Sequence, residues 1–528
     1  MKKIILLAIA CFLFLPVAAK ADSLGEKRNF YIDSSYDLDK RGSINAVLLK
    51  VTSRAYFYAD ESWWNLALQN EVYATLSSLG DEFDNNIYPV LTTNYGSEWT
   101  PGIDKDARIT ILIHPMIKDA GGYFRSNDEY LKLQVPGSNE REMIYLGSAS
   151  LGNLNVKSFL AHEFSHLIIF NQKNKTYNIE EETWLNEART EYASTLLGYD
   201  DIFIGSYLQN RVQSFYDEPF NPITEWQNTK ADYGVINLFT QYLVDHYGKE
   251  ILIDSLHSPK VGIESINYAL QKEGVNKDFA KVFTDWTVAV FLNDCNFGQD
   301  YCYLNKNLKD LHVYPKINFL PLSGQSILSV TEITKDWAGN WFKIIGGKGD
   351  TKISFISNSG ANFKIPYIIQ KSNGSYIVNF LELIDKKGEI NISNFGTDVI
   401  GLVLIPLLEN KTSDFGDNDS SYSFTFTVSA SGQQVINPSI PTGFTFSKNL
   451  YYGMRNQDVV YLKIMLTSEG CLSGVANTNY FAIKTLAAVK CFQNKYKSQI
   501  SLMAGYAIKA TGLVGLGTRN QLNNLLKK

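Results

Sequence analysis

His162-Glu163-Phe164-Ser165-His166 puts two imidazoles four residues apart with a carboxylate between them. On a helix these rings lie roughly 6 Å apart along the axis and on one face. Both can then reach a single tetrahedral Zn²⁺ at about 2.0–2.1 Å. Glu163 projects about 100° round from His162, close enough to meet a water at the metal without ligating it. Five residues are a short pattern, so the rest of the chain decides its meaning. A zinc that does chemistry takes three protein ligands and keeps a fourth position for water, whose pKa falls to about 7. The third ligand must come from another element. Trp184-Leu185-Asn186-Glu187-Ala188-Arg189-Thr190-Glu191-Tyr192 offers Glu187 for this role, about twenty residues downstream. Glu191 follows one turn later on the same face, where a carboxylate can accept the second N–H of a ligating histidine and fix its tautomer.

These residues need two helices and a cleft. Val156 opens the first helix, and residues 178–197 read as a loop followed by the second. Upstream, a helical pattern covers 61–83 and a buried strand covers 107–114. Gly121-Gly122-Tyr123-Phe124 reads as a turn, and 143–146 as a second strand directly before the metal-bearing helix. An extended peptide could pair with the edge of that strand. Another helix is expected over 232–247, carrying Tyr233 and stopped by Gly248, and helical pattern continues over 279–291. His114, His246, His257 and His312 have no ligand-like spacing and read as structural. Residues 22–50 are polar and irregular, either a leader segment or the first strands.

At about residue 313 the period changes to alternating strands broken by Gly, Asn and Asp turns. This predicts an all-β sandwich over 313–430, read as a spacer. Asp414, Asp417 and Asp419 fit no EF-hand pattern and read as a solvated turn. A Ser/Gly/Pro-rich linker spans 431–445. The last stretch, 446–528, is compact and helical, and Thr478-Asn479-Tyr480-Phe481 is echoed by Thr511-Gly512-Leu513-Val514.

A 528-residue chain that is 45% hydrophobic and 20% charged is ordinary globular protein of several domains, which excludes a disordered bulk. Residues 1–21 have the form of a secretory signal peptide, with Lys2 and Lys3, an apolar run, and Ala19-Lys20-Ala21 at the cleavage site. Cys11 lies inside the apolar run, which argues against lipidation. No later apolar stretch reaches the ~18–20 residues that span a bilayer. The remaining cysteines pair by position as Cys295 with Cys302 and Cys471 with Cys491, and export favours two disulfides. Residues 446–528 carry nine Lys and two Arg against Asp458 and Glu469, a net of +9 in a chain whose total is −5. A basic tail on an acidic, exported body points to an anionic wall polymer rather than nucleic acid.

HEFSH with WLNEARTEYA resembles the gluzincin metallopeptidases. The Asn-Glu-Ala-x-x-acid arrangement is similar to the thermolysin-like second motif, and Trp-Leu-Asn-Glu with the later Tyr233-Gly234 helix looks most like the hyicolysin type. The resemblance implies an α+β zincin fold over 51–312 holding one Zn²⁺, with His162, His166 and Glu187 as ligands and Glu163 as general base. It also implies a donor to the developing oxyanion; Tyr233 is the candidate, with Tyr192 and Tyr199 in competition. Ser138-Asn139-Glu140-Arg141-Glu142-Met143 does not match the GxMEN segment of aminopeptidase relatives, which favours an endopeptidase acting on proteins or peptides.

The tail resembles the three-helix peptidoglycan-binding type 1 module. Leu450, Gly453, Val459, Leu462 and Leu466 match its first segment, and Phe481, Thr485, Ala488, Val489, Phe492 and Gln493 its second. Gly512, Val514, Gly515, Thr518, Arg519, Leu522 and Asn523 match its third. Lys463, Ala482 and Leu516 replace the family's usual Gln, Gly and Pro, and 495–509 is an insert. Together these readings predict an exported endopeptidase held at the cell wall. The alternatives are a peptidase of peptidoglycan cross-links, and a wall-binding or adhesive protein with a vestigial zincin domain.

Overall fold

The computed structural model describes residues 21–118, 120–432 and 439–527. The apolar leader and residues 433–438 of the linker lie outside them. The chain divides into two compact units, residues 1–432 and 433–528.

The first unit begins with a six-stranded sheet. Its strands are β1 (Lys27–Tyr31), β2 (Ser43–Val51), β3 (Ala55–Asp60), β4 (Ile109–His114), β5 (Gly122–Phe124) and β6 (Met143–Gly147), in the order β1-β2-β3-β4-β6-β5. β3, β4 and β6 are buried runs without polar alternation because both faces of the sheet are covered. Ile109, Ile111, Ile113, Ile144 and Leu146 face the helical core, while Leu112, Met143 and Tyr145 pack on the other face with Phe30, Ile44 and Tyr58.

One open reading is resolved here and one sequence expectation changes. Residues 22–50 supply β1 and β2, so this segment is part of the sheet. The strand ahead of the metal-bearing helix, β6, is hydrogen-bonded on both sides, parallel to β4 and antiparallel to β5, so it offers no free edge. The edge belongs to β5, the Gly-Gly-Tyr-Phe stretch read as a turn. Three residues are too short to express a period, and glycines signal turns unless a neighbour demands their lack of a side chain.

Ten helices complete the early part of this unit: α1 (Glu61–Trp64), α2 (Gln69–Glu82), α3 (Tyr88–Tyr95), α4 (Val156–Phe170), α5 (Thr183–Leu196), α6 (Tyr207–Asp217), α7 (Lys230–Tyr247), α8 (Glu250–Leu256), α9 (Gly262–Lys272) and α10 (Phe279–Leu292). α7 starts at a capping box formed by Thr229 and Asp232 and stops at Gly248, whose φ of +85° suits a residue without Cβ.

Ten further strands, from β7 (Lys316–Leu320) to β16 (Tyr422–Ala430), join into one connected sheet with its own core, including Phe342, Ile353, Phe355, Leu402, Phe424 and Phe426. The region does not behave as a detached spacer. Trp337, Trp341, Ile368, Val403 and Leu407 belong to the same buried cluster as α5, α7 and α10, and the Trp341 indole donates to the Thr287 carbonyl at 2.7 Å.

The second unit contains α11 (Gln457–Ser468), α12 (Ile483–Lys495), α13 (Lys497–Ala504) and α14 (Leu516–Leu526). Leu450, Val459, Leu462, Leu466, Phe481, Val489, Phe492, Val514 and Leu522 make its core. The expected module has three helices; α13 is a fourth, formed by the insert. Gln493 binds the Leu513 carbonyl at 2.7 Å and accepts from the Gly512 amide at 2.8 Å, fastening the second half of the echo. Lys463 is buried and donates to the Thr478 hydroxyl at 2.9 Å. Both expected disulfides, Cys295–Cys302 and Cys471–Cys491, are present. No helix among the described residues is long and apolar enough to cross a membrane.

Candidate metal centre

α4 and α5 pack so that three side chains converge. The Nε2 atoms of His162 and His166 are 3.2 Å apart. Glu187 places Oε2 3.3 Å from the first and Oε1 3.6 Å from the second. Donors round a tetrahedral zinc at about 2.0–2.1 Å stand about 3.3 Å from one another, so this spacing fits the ion. Among the described residues, His162, His166 and Glu187 are the one group of three whose ligand atoms lie within 4.8 Å of each other. The electrostatics agree. Burial works against charge on His162, yet Glu187, Glu163 and Glu191 overcome it and raise its pKa to about 9. Carboxylates on several sides draw a positive charge to this point.

Glu163, whose charge is felt at His162, lies against Gly122 of β5. A Cβ built on Gly122 would come within 2.8 Å of Glu163 Cγ and 3.0 Å of its Oε1. The edge strand can therefore lie over the carboxylate only because residue 122 has no side chain. Burial, with help from Glu187 and against His162, pushes the Glu163 carboxyl up to about 8.

A second layer holds the ligands. His166 Nδ1 donates to the Asn186 side-chain oxygen at 3.0 Å, which leaves Nε2 free for the centre. His162 Nδ1 is buried without a hydrogen-bond partner and lies 3.6 Å from Glu191 Oε1. Glu191 is itself fixed by both Arg211 nitrogens at 2.7 Å, the Tyr207 hydroxyl at 2.7 Å and Asn237 at 3.2 Å. Sequence reading missed these partners on α6 and α7. Tyr207 and Arg211 stand one helical turn apart, a faint signal that means something only once α6 is known to face α5.

Tyr233 sits at the rim. Its ring is 6.4 Å from that of His162, its edge meets Trp226 at 4.9 Å, and its hydroxyl donates to Asn228 at 2.9 Å. Its competitors point elsewhere: Tyr199 donates to Glu82 at 2.8 Å, and Tyr192 feels the charges of Asp245 and Glu250. Tyr36, from the segment read as leader or strand, stacks on Tyr123 of β5 at 4.6 Å. Burial first, then the charges of Glu163, Asp33 and Glu187, raise the pKa of its hydroxyl.

The remaining histidines have structural partners. His114 is buried against Asp37 at 3.1 Å, and His246, His257 and His312 each meet a backbone carbonyl at 2.8, 3.0 and 3.2 Å respectively. In the aspartate turn, Asp419 pairs with Lys411 at 2.7 Å.

No family model matches the chain. The neutral metalloprotease ShpI of Staphylococcus hyicus is 28% identical over 221 residues, covering 37% of this chain and 48% of that protein. The match thus spans about half of the relative. Among solved structures, the pre-peptidase C-terminal domain of a Bacillus anthracis collagenase aligns with 22% of this chain and 96% of its own length (9% identity, TM-score 0.16). The Yersinia pseudotuberculosis-derived mitogen aligns with 23% and 95% (9% identity, TM-score 0.15).

Proposed function

We propose that this chain is an exported, zinc-dependent endopeptidase that hydrolyses protein or peptide substrates and is retained at the cell wall by residues 446–528. The observation that carries the reading is the convergence of His162, His166 and Glu187 beside the buried carboxylate of Glu163. The partial match to a neutral metalloprotease supports it. The two disulfides and the lack of a membrane-spanning helix among the described residues agree with an extracellular protein.

Zinc held by His162, His166 and Glu187 would supply Lewis acidity, lowering the pKa of water and polarising the substrate carbonyl. The chain's own residues do the rest. The free edge of β5 takes an extended peptide by strand addition. Glu163, under that edge, removes a proton from the attacking water and returns it to the leaving amine. Its raised pKa suits a group that must gain and lose a proton near neutrality. Tyr233 donates its hydroxyl to the oxygen that gains charge. Glu191 and Asn186 orient the two imidazoles. The glycan or anionic wall polymer is the partner of the basic tail unit.

Purified wild type and Glu163→Gln, each with its zinc quantified, decide the matter on casein and on isolated peptidoglycan. Casein cleavage that vanishes in the variant is the expected result. Release of muropeptides without casein cleavage would assign the activity to wall cross-links. A zinc-loaded protein that cuts neither substrate overturns the catalytic reading and leaves a wall-binding protein.

A further inference from the structure

The loop joining α6 to α7 meets Tyr233, whose ring lies beside His162, and several of the loop's ties run to the β-rich region. Pro222 bridges to Ala338, and the Ile223 amide donates to the Trp337 carbonyl at 3.0 Å. Glu225, 2% exposed, receives Lys335 Nζ on both oxygens, at 2.5 and 2.6 Å. Gln227 reaches the Asp417 carbonyl at 2.8 Å with the same amide nitrogen that meets Glu225 at 3.0 Å. Between these ties Trp226 turns the other way and meets the Tyr233 ring at 4.9 Å, while Asn228, at the loop's end, takes the Tyr233 hydroxyl. Asn228 has a φ of +59°, a conformation open to Asn at little cost. Behind the loop lies a cavity of about 460 Å³, lined by Phe220, Glu225, Gln227, Lys316 and Lys335 among others.

We propose that Lys335 and the Asp417 carbonyl, acting through Glu225 and Gln227, are positioning elements that hold Trp226 and Tyr233 against the metal centre, so that the β-rich region is a working part of the peptidase. The inference rests on the proposed activity. An ion pair whose carboxylate is buried fixes geometry more than it adds stability, and is costly when one partner is removed. It therefore fixes the loop at one height, and displacements of about 1 Å at a catalytic group cost up to about 100-fold in rate.

The test is a double-mutant cycle in the full-length, zinc-loaded protein, with kcat and KM measured on a peptide substrate. Gln227→Ala cuts the surface tie without burying a charge, and Glu225→Gln/Lys335→Met removes the whole ion pair, which avoids an orphaned carboxylate. Expected are falls in kcat of about threefold and tenfold or more respectively, with zinc content unchanged, and near wild-type kcat for Lys335→Arg alone, which keeps the ion pair with Glu225. Combined with Tyr233→Phe, either change should cost little further, because both act through the same hydroxyl. Full additivity with Tyr233→Phe, or unchanged kcat in the ion-pair variant, overturns the positioning role while leaving the peptidase intact. A zinc-loaded wild type that cleaves no peptide overturns both.

Discussion

α4 and α5 carry the candidate metal centre, and the same helical pair anchors a second buried polar cluster, built from similar materials to a different end. Lys173, just past α4, sends its ammonium to the carbonyls of Ser255 and Ser258 at 2.8 and 3.0 Å and also to that of Lys260. Arg189 on α5 meets Glu181 at 2.7 Å and the Ser255 hydroxyl at 2.9 Å. Glu181 also accepts the Gly262 amide at 2.7 Å. Each strong donor there has an acceptor within the fold. In the metal centre acceptors crowd together instead: two ring nitrogens face each other, and three carboxylates surround them. Buried polar groups that satisfy one another lock a structure, whereas buried acceptors aimed at one point specify a cation. Arg189 and Glu187 are two residues apart in sequence, and only their surroundings tell staple from site.

The contrast breaks first at the ligands. Glu187→Ala should lose zinc and all cleavage, whereas Glu163→Gln should retain stoichiometric zinc and lose about 10²–10⁴ in kcat; metal analysis beside peptide kinetics reads both. If Glu187→Ala binds zinc as wild type does, the third ligand is wrongly assigned. The structural cluster should answer differently. Arg189→Met leaves buried Glu181 with Lys173, at 3.5 Å, and the Gly262 amide, and should cost up to about 3 kcal/mol in denaturant unfolding, with one zinc still bound by the folded fraction. Loss of zinc at full stability would show that the two clusters are one. Glu191→Gln should weaken zinc binding by about 10–100-fold in competition with a chelator, since it withdraws charge from His162 Nδ1.

A fourth expectation concerns pH. In the chelated protein His162 is raised from 6.5 to about 9 and Glu163 from 4.5 to about 8. A raised pKa means that the folded state holds the proton more tightly than the unfolded one. The resulting stability is fully present below the unfolded pKa and is lost as pH rises through the folded pKa. The Glu163 part is lost between about pH 4.5 and 8 and the His162 part between about pH 6.5 and 9. The melting temperature of the chelated protein should therefore fall across about pH 4.5 to 9, while the zinc-loaded protein, whose His162 has no proton to lose, should be flatter above about pH 6.5. Parallel curves with and without zinc would contradict the placing of His162 at the metal.

The helices over 156–170, 183–196, 230–247 and 279–292 were legible in outline because each repeats its apolar residues over several turns. The HExxH spacing carried its own geometry for the same reason: residues four apart on one helix must share a face. The Trp-Leu-Asn-Glu segment was legible only as a second carboxylate supply. Three features were not. β5 is too short to show a period, and its glycine, Gly122, answers to Glu163, about forty residues away in sequence. Residues 22–50 looked irregular because β1 is only five residues long and both strands turn polar residues toward solvent. The β-rich region read as a spacer because alternation reports one buried face of each strand, and says nothing about a tryptophan inserted into a neighbouring helical core.

By itself the sequence supplied the candidate ligands, the helical frame that brings His162 and His166 together, and the pairing of cysteines. These are local or compositional properties, set by repeat lengths of a few residues. The tertiary structure alone decided that Glu187 reaches those histidines, that Glu191 is held by Tyr207 and Arg211, that Glu163 lies beneath a glycine edge strand, and that Lys335 reaches across to Glu225. Each of these depends on which faces pack together, and in a close-packed interior that choice is made by the whole core at once.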